Sequence, residues 1–382
     1  MARNIIIALF LAVFVLVVSF LSRDTFVAGS GGTENVRRMA STTAEISAVV
    51  PPPASHIKTP EYVKAVYMSA CAAATPSLRK HIEDLIDSTE LNAVVIDIKD
   101  FSGTVSFDTT VPSFRDGKGK GCKAHDMPAF VEELHKKQIY VIGRITVFQD
   151  PLYTRLHPET AVRRLSDGGI WSDFKGLHFI DVGAKEYWDE IVALSIDSYR
   201  IGFDELNFDY IRFPSDGNMK DISFTRTGTT TKAVMMKNFF AYLHGKLNPE
   251  GIVTSADLFG MTTTNTDDLN IGQVLENTLP YFDFVSPMVY PSHYPPRFNG
   301  WSNPNKYPYD VVYFSMDKAV DRAVAASTSP LKLRPWLQDF DYGGIYNAPE
   351  VRAQMNAVYD TGLTSWMLWD PANKYTRGAL EE

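Results

Sequence analysis

The chain has 382 residues, 45% of them hydrophobic and 21% charged, enough for one large folded body around a sizeable core. The formal net charge is −8, so no basic face for a phosphate backbone is expected and nucleic acid is excluded as the anticipated partner.

Residues 5–21 form an apolar run interrupted only by Ser19, with Arg3 before it and Arg23 and Asp24 after it. Such a run reaches the roughly 17–25 residues of a membrane span. It exceeds the about 7–15 of a cleaved leader's apolar stretch. Residues 1–22 are therefore expected to be a signal anchor, a single transmembrane helix with the bulk of the chain extracytoplasmic. Cleavage and secretion is the alternative. Residues 23–59, rich in Gly, Ser, Thr, Ala and Pro, read as a flexible linker. The folded domain is expected over 60–382.

From there the pattern alternates strand and helix. Strands are predicted at 63–69, 92–100, 138–148, 205–213, 252–259, 282–290, 331–340 and 362–370. Helices are predicted from Thr75-Pro76 and at 128–137, 184–199, 231–247, 316–327 and 348–360, with a weaker one at 271–277. Eight strands joined by helical crossovers imply a parallel sheet closed as a (β/α)8 TIM barrel. An open doubly wound sheet would carry a Gly-rich turn after its first strand, and SACAAATP at 69–76 is not one. The eighth helix would have to come from 373–382. The connection 149–182 exceeds the about 12–15 residues usual for a structureless loop, and it is expected to wall or cover the mouth. Cys71 and Cys122 either pair or stay free.

Side chains alternate faces along a strand. In FDELNFDYIRFPSDG (203–217), Leu206, Phe208 and Tyr210 fit the helix-facing side. Glu205, Asn207 and Asp209 then point into the barrel, with Asp209 nearest the C-terminal mouth where this fold places catalytic groups. The same alternation turns Asp97 with Lys99, Arg144 with Thr146, Ser255 with Asp257, Ser286 with Tyr290, and Arg334 with Trp336 and Gln338 to common sides. Trp369 or Asp370 reaches the mouth. Buried charge is unfavourable unless paired, so several polar strands converging imply a functional cleft.

KAVYMSA (64–70), LNAVVIDIKDFSGTVSF (91–107), YVIGRITVFQDP (140–151) and GFDELNFDYIRFPSDG (202–217) resemble a bacterial family of unassigned function described as a glycosyl hydrolase domain. SADLFG (255–260), SPMVYPSHY (286–294), RPWLQDF (334–340) and WMLWDP (366–371) match it as well. The resemblance runs in order over about residues 61–372 and implies a glycosidase-like barrel. Chitinase-like barrels carry D-x-x-D-x-D-x-E on strand four. Here Asp204, Asn207 and Asp209 occupy the first three places and Ile211 replaces the acid, so that mechanism is not implied. Amylase-like barrels place a nucleophile at the end of strand four and an acid after strand five, an arrangement Asp209 and Asp257 resemble.

Glycoside hydrolysis generally uses two carboxyl groups. Asp209 is the expected nucleophile or base, with Arg144 beside it. Asp257 is the expected acid, desolvated by Leu258 and Phe259. Asp97 could replace it, although Lys99 as its neighbour argues against that. Lys99, Arg144, Asn207, Tyr290, Gln338 and Trp369 are expected to bind the saccharide. A polysaccharide or oligosaccharide and, through the N-terminal helix, a membrane are the expected partners. No cofactor and no metal are expected. Two rival readings stay open: a non-catalytic glycan-binding barrel, and a hydrolase using Asp97, Asp209 and Asp257 as metal ligands. His293 is the only His near a strand end.

Overall fold

Eight strands form a closed barrel in sequence order, every neighbouring pair parallel and β8 returning to β1. They are β1 (Lys64–Met68), β2 (Ala93–Lys99), β3 (Tyr140–Thr146) and β4 (Glu205–Asp209), then β5 (Val253–Phe259), β6 (Phe284–Met288), β7 (Trp336–Gln338) and β8 (Trp366–Trp369). This computed structural model describes residues 54–115 and 119–382. The expected anchor and nearly all of the linker lie outside the described residues, among which no helix is long and apolar enough to cross a membrane.

Each predicted strand is present and each is shorter than predicted, two of them for visible reasons. β4 stops at Asp209 because Tyr210 takes φ +50°, a left-handed conformation that ends extended pairing. β7 shrinks to three residues because Pro330–Lys332 forms a 3-10 turn and Pro335 has no N–H to donate. The helix expected at 316–327 starts earlier, at Pro308, with proline in its first turn. No α-helix follows β8; residues 373–382 contain only a 3-10 turn at Arg377–Ala379.

Two cores explain the alternation. Val66, Ile96, Val141, Leu206 and Leu258 face outward into the large core shared with the helices. Ala65, Val95, Ile142 and Met367 fill the barrel interior. Lower in that interior, fully buried Glu205 pairs with fully buried Arg334 and accepts a hydrogen bond from Tyr140 Oη at 3.1 Å. Below the strands, residues 54–59 pack against the barrel floor. Ile57 N–H donates to Asp204 Oδ1 at 2.7 Å, and the Thr59 and Tyr140 hydroxyls share a hydrogen bond.

The long connection after β3 is itself folded. Asp150 caps the helix Pro151–Leu156 by accepting from Tyr153 N–H, and antiparallel bridges tie Ala161 to Ile180 and Ser172 to His178. Val162, Trp171 and Phe179 form a small core of its own, packed against Tyr210 and Phe224. Cys71 and Cys122 are joined in a disulfide, Cα atoms 4.9 Å apart, linking the segment after β1 to the loop after β2.

Candidate active site

At the C-terminal mouth, β2, β3 and β4 bring Asp97, Arg144 and Asp209 together. Register pairs Asp97 with Arg144 and Arg144 with Asn207, which sets Asp209 one step higher, beside Thr146. Arg144 Nη1 donates to Asp97 Oδ1 at 2.6 Å. Its Nη2 and Nε donate to Asp209 Oδ2 at 2.5 and 3.1 Å. Burial opposes the guanidinium charge, but Asp209 and Asp97 outweigh it and hold Arg144 protonated. Asp209 Oδ1 accepts from the N–H of Tyr210, a donor that the left-handed turn of Tyr210 sets against the carboxylate.

Asp257, on β5, is 1% exposed, and its Oδ1 accepts from Asn207 Nδ2 and from Trp336 Nε1, both at 2.8 Å. Burial, reinforced by the charge of Asp209, pushes its carboxyl well above the usual carboxylate range. With Oδ1 accepting two N–H groups, a proton on Asp257 resides on Oδ2. Burial also raises Asp97, against the pull of Arg144 and of Tyr67, whose Oη donates to Asp97 Oδ2 at 2.6 Å.

Of the nine candidates, Asp97, Arg144, Asp209, Asp257, Tyr290 and Trp369 line the cleft. Lys99 does not. The register slips between Asp97 and Lys99, so Lys99 pairs with outward-facing Ile145 rather than continuing Asp97's side. Its Nζ lies 2.7 Å from Asp150 Oδ2 and donates to the Thr146 carbonyl, fully buried. It is therefore not the neighbour that sets the charge of Asp97; Arg144 is. Asn207 is sealed beneath Asp257. Gln338 is also fully buried, its side chain accepting from Ser292 N–H and donating to the Phe340 carbonyl.

Several cleft residues are not among those candidates. Tyr67 lies on the inward side of β1, which the pattern Ala65, Tyr67 contains, and its ring stacks on Trp369 at 3.9 Å. Trp336 is inward as the pattern has it, but its bond to Asp257 is set by distance in space rather than in sequence. Tyr210, expected on the helix-facing side, is turned into the cleft by its positive φ, and Arg212 lies over its ring at 5.0 Å. Among the described residues no group of three or more His, Cys, Asp or Glu has the geometry of a metal site, and the Arg144 guanidinium fills the space between Asp97 and Asp209.

Residues 65–375 match the model of the family described as "Putative glycosyl hydrolase domain". The chain belongs to this family. Its barrel is similar to the glycoside hydrolase domain of PgaB from Bordetella bronchiseptica, with TM-score 0.59 and 14% identity, covering 84% of this chain and 99% of that one. It is similar also to a chitobiase from Flavobacterium johnsoniae, with TM-score 0.53 and 12% identity over 84% of this chain and 47% of that one. A hypothetical protein from Ruminiclostridium thermocellum shares 31% identity over 54% of this chain and 98% of its own, with TM-score 0.45. A search of curated proteins returns no match. The likenesses to the PgaB domain and the chitobiase agree with the fold; the residues of the mouth speak to the chemistry.

Proposed function

We propose that this family member is a glycoside hydrolase that cleaves O-glycosidic bonds of an extracytoplasmic or cell-envelope polysaccharide through two carboxyl groups. The observation that carries the reading is the pairing of unlike acids on one cavity wall. Asp257 is buried, which pushes its carboxyl well above the usual carboxylate range, while Asp209 is salt-bridged to Arg144, and both line the same cavity of about 260 Å3. Unlike surroundings suit the two acids to different roles. Asp257 protonates the leaving oxygen. Asp209 attacks the anomeric carbon or takes the proton of the attacking water. Arg144 offsets the charge beside Asp209, and the Tyr67–Asp97 pair fixes the guanidinium from its other side. Trp369, stacked on Tyr67 and 5.0 Å from the Arg144 guanidinium, lines the cavity and would bound a sugar ring there. The disulfide supports an oxidising, extracytoplasmic setting.

Reducing-end release across a panel of polysaccharides tests the reading, with Asp209→Asn run beside the unchanged protein. Release by the unchanged protein and a loss of at least a thousandfold in the folded variant are expected. Folded protein that binds a polysaccharide while neither form releases ends would replace the hydrolase with a glycan-binding barrel.

A further inference from the structure

Two cavities approach from opposite sides of the mouth and meet at Arg144, whose guanidinium is bonded to Asp209 of the acid pair. One, of about 260 Å3, lies against β5 to β7 and is lined by Asp257, Tyr290 and Trp336. The other, of about 420 Å3, lies against β1, β2 and the folded connection after β3, and is lined by Asp97, Phe101 and Leu177. Arg144, Tyr210, Arg212 and Trp369 border both. Past Tyr290 and Trp369 a broader depression of about 980 Å3 continues to Phe340 and Tyr342. A binding site for one terminal sugar is closed behind its reacting bond; here space continues on both sides.

Both ends carry exposed rings. Phe101, in the loop after β2, is 57% exposed, and Tyr342, in the loop after β7, is 65% exposed. Between Tyr342 and the centre the rings follow one another: His293 lies 6.1 Å from Tyr342, Phe340 6.2 Å from His293, and Tyr290 5.7 Å from Phe340. A large ring left in water at the edge of a cavity is available to a ligand, and its flat apolar face suits the C–H face of a pyranose.

We propose that the mouth holds saccharide subsites on both sides of the acid pair, so that a polymer lies across the barrel and is cut at internal bonds. Phe101 and Tyr342 serve as the outer platforms. The inference rests on the hydrolase reading. In the step itself the glycosidic C–O bond breaks, the leaving oxygen takes the proton of Asp257, the oxygen of water bonds the anomeric carbon, and the proton that water gives up restores the acid.

The test uses the full chain and whichever of soluble β-glucan, xylan, chitosan or solubilised peptidoglycan is cleaved. Chain length is followed by size exclusion against reducing ends formed. A severalfold fall in average length while few ends have appeared is expected; release of mono- or disaccharide from an undiminished polymer overturns the proposal. In parallel, calorimetry measures the affinity of Asp209→Asn for oligomers of increasing length from the same four polymers. Affinity that grows with length, and is lost about tenfold on long chains with either Phe101→Ala or Tyr342→Ala added, supports two-sided binding. Affinity that reaches its limit at a disaccharide, or that ignores both rings, overturns it. Absence of cleavage with length-dependent binding counts against the hydrolase alone.

Discussion

The assignment of Asp257 as proton donor predicts how its pH dependence responds when a single hydrogen bond is removed. Asn207 donates to Asp257 Oδ1 at 2.8 Å from beneath the cleft, and Asn207→Leu, of the same branched shape though larger, deletes this donor together with its weaker bond to Ser255 Oγ. A hydrogen bond to a charged acceptor contributes about 1.5–3 kcal/mol and to a neutral one about 0.5–1.5 kcal/mol. The deleted bond therefore favoured ionised over protonated Asp257 by about 1 kcal/mol. At 1.36 kcal/mol per pH unit this is roughly 0.7 of a unit. The sign follows directly: losing a donor that prefers the carboxylate raises the pKa, and a general acid stays active to higher pH. The basic limb of the kcat/KM profile should move up by about 0.7, with the acidic limb in place. A folded variant whose basic limb stays still or moves down would refute Asp257 as the acid.

Other outcomes follow from neighbouring contacts. Arg144→Lys replaces a planar fork by a point charge that cannot bond Asp97 and Asp209 together, so kcat should fall at least tenfold, and unchanged turnover would remove Arg144 from the machinery. Glu205→Ala leaves Arg334 buried without its carboxylate and should destabilise by about 3–5 kcal/mol, read in urea; a smaller change than about 1 kcal/mol would mean the pair is dispensable. Asp339 is pushed up to about 6 by burial, so in the folded state it binds its proton more tightly than when unfolded. Its contribution is present below pH 4 and is lost as pH rises from about 4 to 6. Asp339→Asn should accordingly raise the melting temperature at pH 7.5 and leave it nearly unchanged at pH 4, whereas an equal shift at both would refute the linkage.

The barrel was legible because its two periodicities are strong. Every predicted strand lies on an observed one, and the inward set Glu205, Asn207 and Asp209 follows from alternation alone. What alternation misses is local. A slip of register after Asp97 removes Lys99 from the cleft, since period-two reading fails wherever one residue is added. A positive φ at Tyr210 reverses a ring that the pattern sends outward. Depth is the third blind spot: Asn207 and Gln338 do point inward, yet a layer of other side chains covers them. The bond from Trp336 to Asp257 joins residues 79 apart and depends on barrel closure, which no local pattern contains.

Arg144 makes Asp97 and Asp209 rivals for one cation. If either carboxylate loses its charge, through a proton or a covalent bond to sugar, the guanidinium is released from it and its attraction falls entirely on the other. Chemistry at Asp209 is thereby communicated to Asp97 and, through the hydroxyl of Tyr67, to the far wall of the mouth. Replacing Asp97 by Asn would accordingly be felt at Asp209 as a stronger grip from Arg144. The hold on one member of the proposed acid pair would thus be set by a residue outside that pair.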